Sequence, residues 1–212
     1  MILDLHTHSV KSDDGRAKVE NYCQWIKAKE IPIDGFVLTE HRQYDFESDY
    51  SSLEKKYNLL ILKGSEVETE YGHVLIFGVT KMLTTKLDFS RIDLTLRDVI
   101  HWSKACSAVA VPCHPGRPKV GMFAHTDRLG IPEGVEIVET LNGGSRDEED
   151  KVAIENARSL EYKGIGGSDS HIVSHIGRCA TIFTEEIRSM EVLVKELKKG
   201  NFEPISLRNR LK

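Results

Sequence analysis

Excess positive charge, paired cysteines, long apolar runs and nucleophile motifs are all missing from this sequence. Its 29 Lys and Arg face 33 Asp and Glu, a net charge of −4 with histidine neutral, which argues against an extensive cationic surface for wrapping nucleic acid. Phosphate substrates stay open, because bound divalent ions would add positive charge that a residue count omits. The four cysteines, Cys23, Cys106, Cys113 and Cys179, form no CxxC unit and suggest no disulfide framework, so they read as reduced thiols in a cytosolic protein. No apolar stretch approaches the roughly 20 residues that span a bilayer. The opening Met-Ile-Leu-Asp has neither the charged nor the apolar region of a signal peptide, so a cytoplasmic protein with no membrane partner is expected. Neither a GxSxG elbow nor a P-loop occurs, so no serine-nucleophile or P-loop signature is present.

What is present is a repeated placement. Seven short apolar runs each lead into a residue able to bind a metal or stabilise charge. Met1-Ile2-Leu3 runs into Asp4-Leu5-His6-Thr7-His8, and the others finish at His41, Glu66, His73, His114, Glu139 and the pair Asp169/His171. Such residues at the downstream ends of strand-like segments suggest one site on one face of a sheet or barrel. Apolar content of 40% and charged content of 29% fit an ordinary globular chain, and 212 residues suit one domain rather than two.

Strand-like and helix-like patterns alternate throughout. Strands are expected at Met1–Leu5, Gly35–Thr39, Leu59–Lys63, His73–Gly78, Ala108–Pro112, Gly134–Val138, Ile165–Gly167 and Ala180–Phe183. Helices are expected at Ala17–Lys29, Asp49–Tyr57, Thr95–Ser107 with Thr95 as its cap, Asp147–Tyr162, and Ile187–Lys199 ending at Gly200. The alternation predicts a mostly parallel sheet with helical crossovers.

Residues two apart in a strand share a side, so His6 and His8 can converge on one cation, and so can Asp169 and His171. Alone, HxH also describes two solvated histidines. Asp13 and Asp14 follow in a turn with Gly15, where metal binding and simple turn chemistry are equally good readings. Glu66 and Glu68 offer two carboxylates, one of which can bridge ions. His114 sits at a strand end in a loop stiffened by Pro112 and Pro115, while its neighbour Cys113, if the strand persists, points into the core.

The set Asp4-Leu5-His6-Thr7-His8-Ser9, Ser12-Asp13, Leu38-Thr39-Glu40-His41, Gly64-Ser65-Glu66, His73, His114-Pro115 and Ser168-Asp169-Ser170-His171 resembles the PHP (polymerase and histidinol phosphatase) family across residues 1 to about 185. The resemblance implies an α/β fold, a distorted (β/α)7 TIM-like barrel with its site at the C-terminal strand ends, in a single domain over residues 1–212. It also implies three divalent ions drawn from zinc, manganese and iron. The first takes His6, His8, Glu66 and Asp169. The second takes Glu66, His73 and His114, and the third Asp13, His41 and His171. Glu40 stands where the family often has Asp. The activity implied is hydrolysis of a phosphomonoester, a small phosphorylated metabolite or a nucleotide, with the chemistry falling on Glu66, Asp169 and Arg117.

Arg117 and Arg178 are candidates to hold phosphate oxygens, with Lys11 and His175 weaker ones, and a surface ion pair is the plain alternative for each arginine. The long segment Gly116–Pro132 and the loop Asn142–Arg146 lie beside the expected site as pocket walls or packed lids. Two other readings stand: a metal-dependent amidohydrolase, which also opens with HxH after a first strand, and a non-catalytic PHP-like module in a nucleic-acid complex. The filled ligand set weighs against the second.

Overall fold

The alternating apolar and amphipathic stretches fold into a curled, half-barrel sheet carrying helices on its outer side. The computed structural model describes residues 1–210. In chain order the elements are β1 (Ile2–Thr7), α1 (Val19–Ala28), β2 (Gly35–His41), α2 (Ser51–Tyr57), β3 (Leu60–Thr69), β4 (Gly72–Phe77), α3 (Lys81–Lys86), α4 (Leu96–Ala105), β5 (Val109–Pro112), α5 (Thr126–Leu129), β6 (Ile137–Asn142), α6 (Asp147–Ser159), β7 (Lys163–Gly167), β8 (Cys179–Phe183), α7 (Met190–Lys199) and β9 (Phe202–Ser206). Seven strands form one sheet in the order β5-β4-β3-β2-β1-β8-β9, and β6 and β7 form a two-stranded ribbon.

The sheet is mixed, not mostly parallel. β1, β2 and β3 run parallel, but β4 and β5 continue antiparallel from β3, and β8 and β9 are antiparallel on the far side of β1. The reason is local. Only Glu70 and Tyr71 separate β3 from β4, and Gly72 at φ 101° adopts a backbone conformation that L-residues avoid, so the chain reverses in a hairpin with no room for a crossover helix. A regular seven-fold β/α repeat is therefore not what the sheet displays.

Period-two patterning decides which side each residue faces. In β2, Val37 joins the inner apolar cluster with Leu3, Leu5 and Leu75, while Phe36 and Leu38 face Tyr22 and Ile26 of α1. A third cluster places Leu96 and Val99 of α4 against Val74 and Ile76 of β4. Each such fully buried apolar side chain contributes about 1.5–3 kcal/mol relative to exposure. The expected caps are present: Thr95 Oγ1 accepts from the Asp98 N–H at 3.1 Å, and Gly200 ends α7 at φ 74°. β6 begins three residues later than expected and runs through Glu139 to Asn142, because Pro132 and Gly134 (φ 80°) keep the preceding segment out of extended pairing.

The ribbon closes the open side of the sheet at the strand ends. At one edge the His114 N–H, just past β5, donates to Glu139 Oε2 of β6 at 2.8 Å. At the other, the Asp169 N–H past β7 donates to His6 O at 2.7 Å, and the His8 N–H to Ser170 O at 2.8 Å. Gly167 makes this approach possible, since a Cβ there would lie 2.4 Å from His6 Cβ and 2.7 Å from Glu139 Oε1. Among the described residues, no helix is long and apolar enough to cross a membrane.

Candidate metal centre

The strand ends converge on Glu66. β3 continues past Lys63 and pairs Glu66 directly with His41 of β2 and with Leu75 of β4, which fixes the carboxylate in the middle of the inner face. Its two oxygens address different neighbours. Oε2 lies 3.2 Å from His6 Nε2, 3.2 Å from His8 Nε2 and 3.1 Å from His41 Nδ1. Oε1 lies 2.8 Å from His73 Nδ1 and 3.2 Å from His114 Nε2. Asp169 Oδ1 stands 3.4 Å from both His6 Nε2 and His8 Nε2. The first two expected ligand sets are thus brought together around one carboxylate.

Three histidines present a bare nitrogen because their other nitrogen is anchored. His6 Nδ1 lies 3.0 Å from Glu139 Oε1, and His171 Nδ1 lies 3.0 Å from the Asp169 carbonyl, both acceptor-only groups. His8 Nδ1 lies 3.2 Å from Ser12 Oγ, whose own proton goes to Glu40 Oε2 at 2.6 Å, so His8 must be the donor there. Once each ring is neutral, as a metal ligand must be, this leaves Nε2 as the lone pair that a cation needs. His8 Nε2 is fully buried and makes no hydrogen bond. A buried polar atom without a partner is costly, and a divalent ion resolves it. The donor chemistry therefore fits metal: imidazole and carboxylate groups in sets whose ligand atoms lie within 4.8 Å of one another.

Electrostatics follow from this crowding. Burial alone would raise the Glu66 carboxyl, but His6, His114 and His73 hold it well below the usual carboxylate range. Burial would likewise raise Asp169, and His6, His8 and Arg117 hold it well below. Burial opposes a charge on His8, yet Asp169 and Glu66 lift its imidazole to about 9. His41 and His114 go the other way, pushed down by burial. Two site residues store backbone strain at their strand ends, His114 at φ 33° and Asp169 at φ 51°. Such conformations cost of order 1 kcal/mol or more each and persist where surrounding structure enforces them.

The third expected set forms with one substitution. His41 Nε2 and His171 Nε2 face each other at 3.5 Å, and the carboxylate between them belongs to Asp14, whose Oδ2 lies 3.1 Å from His171 and 3.5 Å from His41. Asp13 does not join them. It turns outward to Arg42, which at φ 53° donates to Asp13 Oδ2 and to Glu68 Oε1, both at 2.6 Å. That clamp also removes Glu68 from the centre.

Cys113 departs from expectation only in part. It is buried in the inner apolar cluster with Val111, as expected, but its thiol also borders the centre beside His114, 3.2 Å from Glu66 Oε1. Arg117 is inside the site, bound to Asp169 Oδ2 and to Asn142 Oδ1, both at 2.7 Å. Arg178 lies against the Gly143–Ser168 contact and forms no ion pair among the described residues; burial and Arg208 push its pKa down. Lys11 is turned away, paired with Asp45 at 2.5 Å. The Gly116–Pro132 segment is packed down, with Val120 O accepting from the His73 N–H at 3.1 Å and Met122 buried in the apolar cluster.

Four further residues hold this centre through partners that the sequence does not reveal. Glu139 accepts from the His114 N–H and from Asn142 Nδ2, both at 2.8 Å, besides facing His6. A register shift in β6 between Glu139 and Leu141 brings Glu139 and Asn142 to one side. Glu40 gathers Ser9 and Ser12 at 2.6 Å, and Asp4 accepts from the N–H groups of Ser168 and Gly177 at 2.8 Å, tying β1 to the loops after β7. Asp4 sits in an expected strand and Glu139 one residue past another; their partners are too distant in sequence to read.

A family profile described as PHP-associated matches residues 148–202. No curated protein sequence matches the chain. Among solved structures, PsfC from Pseudomonas syringae superposes with a TM-score of 0.72 at 17% identity, covering 99% of this chain and 93% of that one. The lesion-specific endonuclease Q of Pyrococcus furiosus gives 0.66 at 15% identity, over 96% of this chain but only 57% of its own length. A protein from Bifidobacterium adolescentis assigned to the metal-dependent phosphoesterases gives 0.59 at 15%, covering 93% and 96%. At such identities the likeness is one of fold. The profile match over residues 148–202 agrees with that fold likeness, and together they support a PHP-like fold.

Proposed function

We propose that this protein is a metal-dependent hydrolase of phosphate esters, acting on a small phosphomonoester or nucleotide at a centre built for three divalent ions. The observation that carries the reading is the anchoring of His6, His8 and His171 through Nδ1, which leaves three Nε2 lone pairs around Glu66 and Asp169. His6, His8, Glu66 and Asp169 would hold the first ion, Glu66, His73 and His114 the second, and His41, His171 and Asp14 the third. Zinc, manganese and iron all suit such donors. When bound, divalent ions would polarise the phosphoryl oxygens and lower the pKa of an attacking water.

The chain's own residues do the positioning. Glu66 splits its oxygens between the first two sets, so one carboxylate sets their spacing. Arg117 holds Asp169 by Oδ2, leaving Oδ1 for the centre, and its remaining N–H groups would donate to a phosphate oxygen. Arg178 serves as a second anion contact from the last loop. No extended nucleic-acid surface is proposed, in keeping with the acidic charge balance.

A DNA-directed reading takes its support from the fold shared with endonuclease Q, whose length this chain spans by 57%. Phosphate release from histidinol phosphate, nucleoside monophosphates, sugar phosphates and 5′-phosphorylated oligonucleotides tests both, with cleavage of a duplex carrying an abasic lesion assayed alongside. Turnover of a small ester, abolished by a chelator and restored by manganese or zinc, is the expected outcome. Duplex cleavage alone would replace the substrate class, and silence across all substrates with metals bound would remove the hydrolase reading.

A further inference from the structure

The donors around Glu66 Oε1 include a side chain that the nine expected ligands leave unused. Cys113 is fully buried, with Sγ 3.2 Å from Glu66 Oε1 and 3.4 Å from His114 Nε2. With His6 these residues form a wholly buried set whose donor atoms all lie within 4.8 Å of one another. We propose, building on the metal reading above, that Cys113 is a thiolate ligand to the ion held between Glu66 and His114, giving that ion a soft donor and a preference for zinc over manganese.

The distances come close to those of a coordination shell. Bonds of about 2.3 Å to sulfur and 2.0–2.2 Å to nitrogen and oxygen place tetrahedral neighbours about 3.3–3.6 Å apart. Glu66 Oε1, His114 Nε2 and Cys113 Sγ are separated by 3.2, 3.2 and 3.4 Å, a triangle slightly tighter than one face of such a shell, which a small outward shift of the thiol would open to fit. A second observation points to a bound ion independently: the buried Nε2 of His8 has no hydrogen-bond partner and faces the other oxygen of Glu66 at 3.2 Å. The Cys113 S–H donates to Glu66 Oε1, so a proton occupies the direction a cation would take. On coordination that proton leaves to solvent as the metal–sulfur bond forms, and nothing is oxidised or reduced. The orientation follows from local chain geometry: Cys113 shares the inner side with Val111 two residues earlier, and His114 takes φ 33° as the strand ends, which lets both side chains face inward. Thiolate selects zinc and iron over manganese, whereas an all-imidazole and carboxylate site is less selective.

Cobalt(II) titration of the whole protein reads the ligand directly, because a cobalt–thiolate bond produces a near-ultraviolet charge-transfer band that nitrogen and oxygen donors do not. Wild type and Cys106→Ser should both show the band, and Cys113→Ser and Cys113→Ala should lose it. Competition assays should show zinc affinity falling about tenfold or more in both Cys113 variants while manganese affinity changes less. A purely packing role for Cys113 would leave metal preference unchanged. The wild-type spectrum decides even if a variant fails to fold: bound cobalt without the band overturns the thiolate assignment and leaves the metal reading intact. A band that survives in both Cys113 variants also overturns it, and failure to bind cobalt at all overturns both.

Discussion

Replacing Glu139 with Gln keeps the side chain's size and removes one charge, and its effect can be worked from the hydrogen bonds around the carboxylate. Oε2 of Glu139 accepts from the His114 N–H and Asn142 Nδ2 at 2.8 Å, while Oε1 takes the His6 Nδ1 proton at 3.0 Å. A glutamine has one acceptor and one donor for these places. With its oxygen at the Oε2 position, its NH2 faces His6 Nδ1 and drives the imidazole proton to Nε2, the atom that should meet the ion. Flipped, its NH2 faces two other donors. Either way one charge-assisted hydrogen bond is lost, about 1.5–3 kcal/mol. At about 1.4 kcal/mol per decade this is on the order of 10- to 100-fold in metal affinity, the range found for such supporting carboxylates. Competition between the protein and a chromophoric chelator for zinc measures it, with circular dichroism to verify the fold. Wild-type affinity in Glu139→Gln would refute the assignment of the His6 tautomer to Glu139.

Other perturbations have equally definite outcomes. In metal-free protein His8 has its imidazole raised from 6.5 to about 9, so its stabilisation is complete below pH 6.5 and is lost as pH rises through 9. That is about 3 kcal/mol; urea unfolding should show metal-free protein weakening across this window, and loading with zinc should release protons to an indicator dye. Asp4→Ala strands the buried N–H groups of Ser168 and Gly177 and should cost about 3–5 kcal/mol, read as a lower urea midpoint. Arg117→Ala should raise KM for a phosphate ester and loosen Asp169; an unchanged kinetic profile would remove Arg117 from the mechanism. Asp13→Ala should leave metal content unaltered, whereas Asp14→Ala should lower it, and the reverse result in elemental analysis would reassign the third set.

Much of this arrangement is legible in the chain because strands impose a period of two. His6 and His8 share a side of β1, and Glu66, His114 and Asp169 stand at strand ends, where the curled sheet gathers them. What escapes the sequence is decided by geometry that no local pattern encodes. Cys113 shares the inner side with Val111, as alternation allows, but its contact with Glu66, 47 residues away, needs β3 and β5 folded into one sheet. Asp13 and Asp14 are indistinguishable in a polar turn until Arg42, 29 residues from Asp13, claims the first of them. The β3–β4 hairpin replaces a crossover because its loop is two residues long. Glu139 meets His6 across 133 residues of chain, and Glu40 acts through Ser9 and Ser12, so their roles appear only once the barrel-like closure is formed.

Anomalous diffraction from crystals of the zinc- or manganese-loaded protein bears most directly on the metal centre. The expected result is ions within coordination distance of Glu66, one shared with His6, His8 and Asp169 and another with His73 and His114. Loaded crystals with no ion beside Glu66 would contradict it.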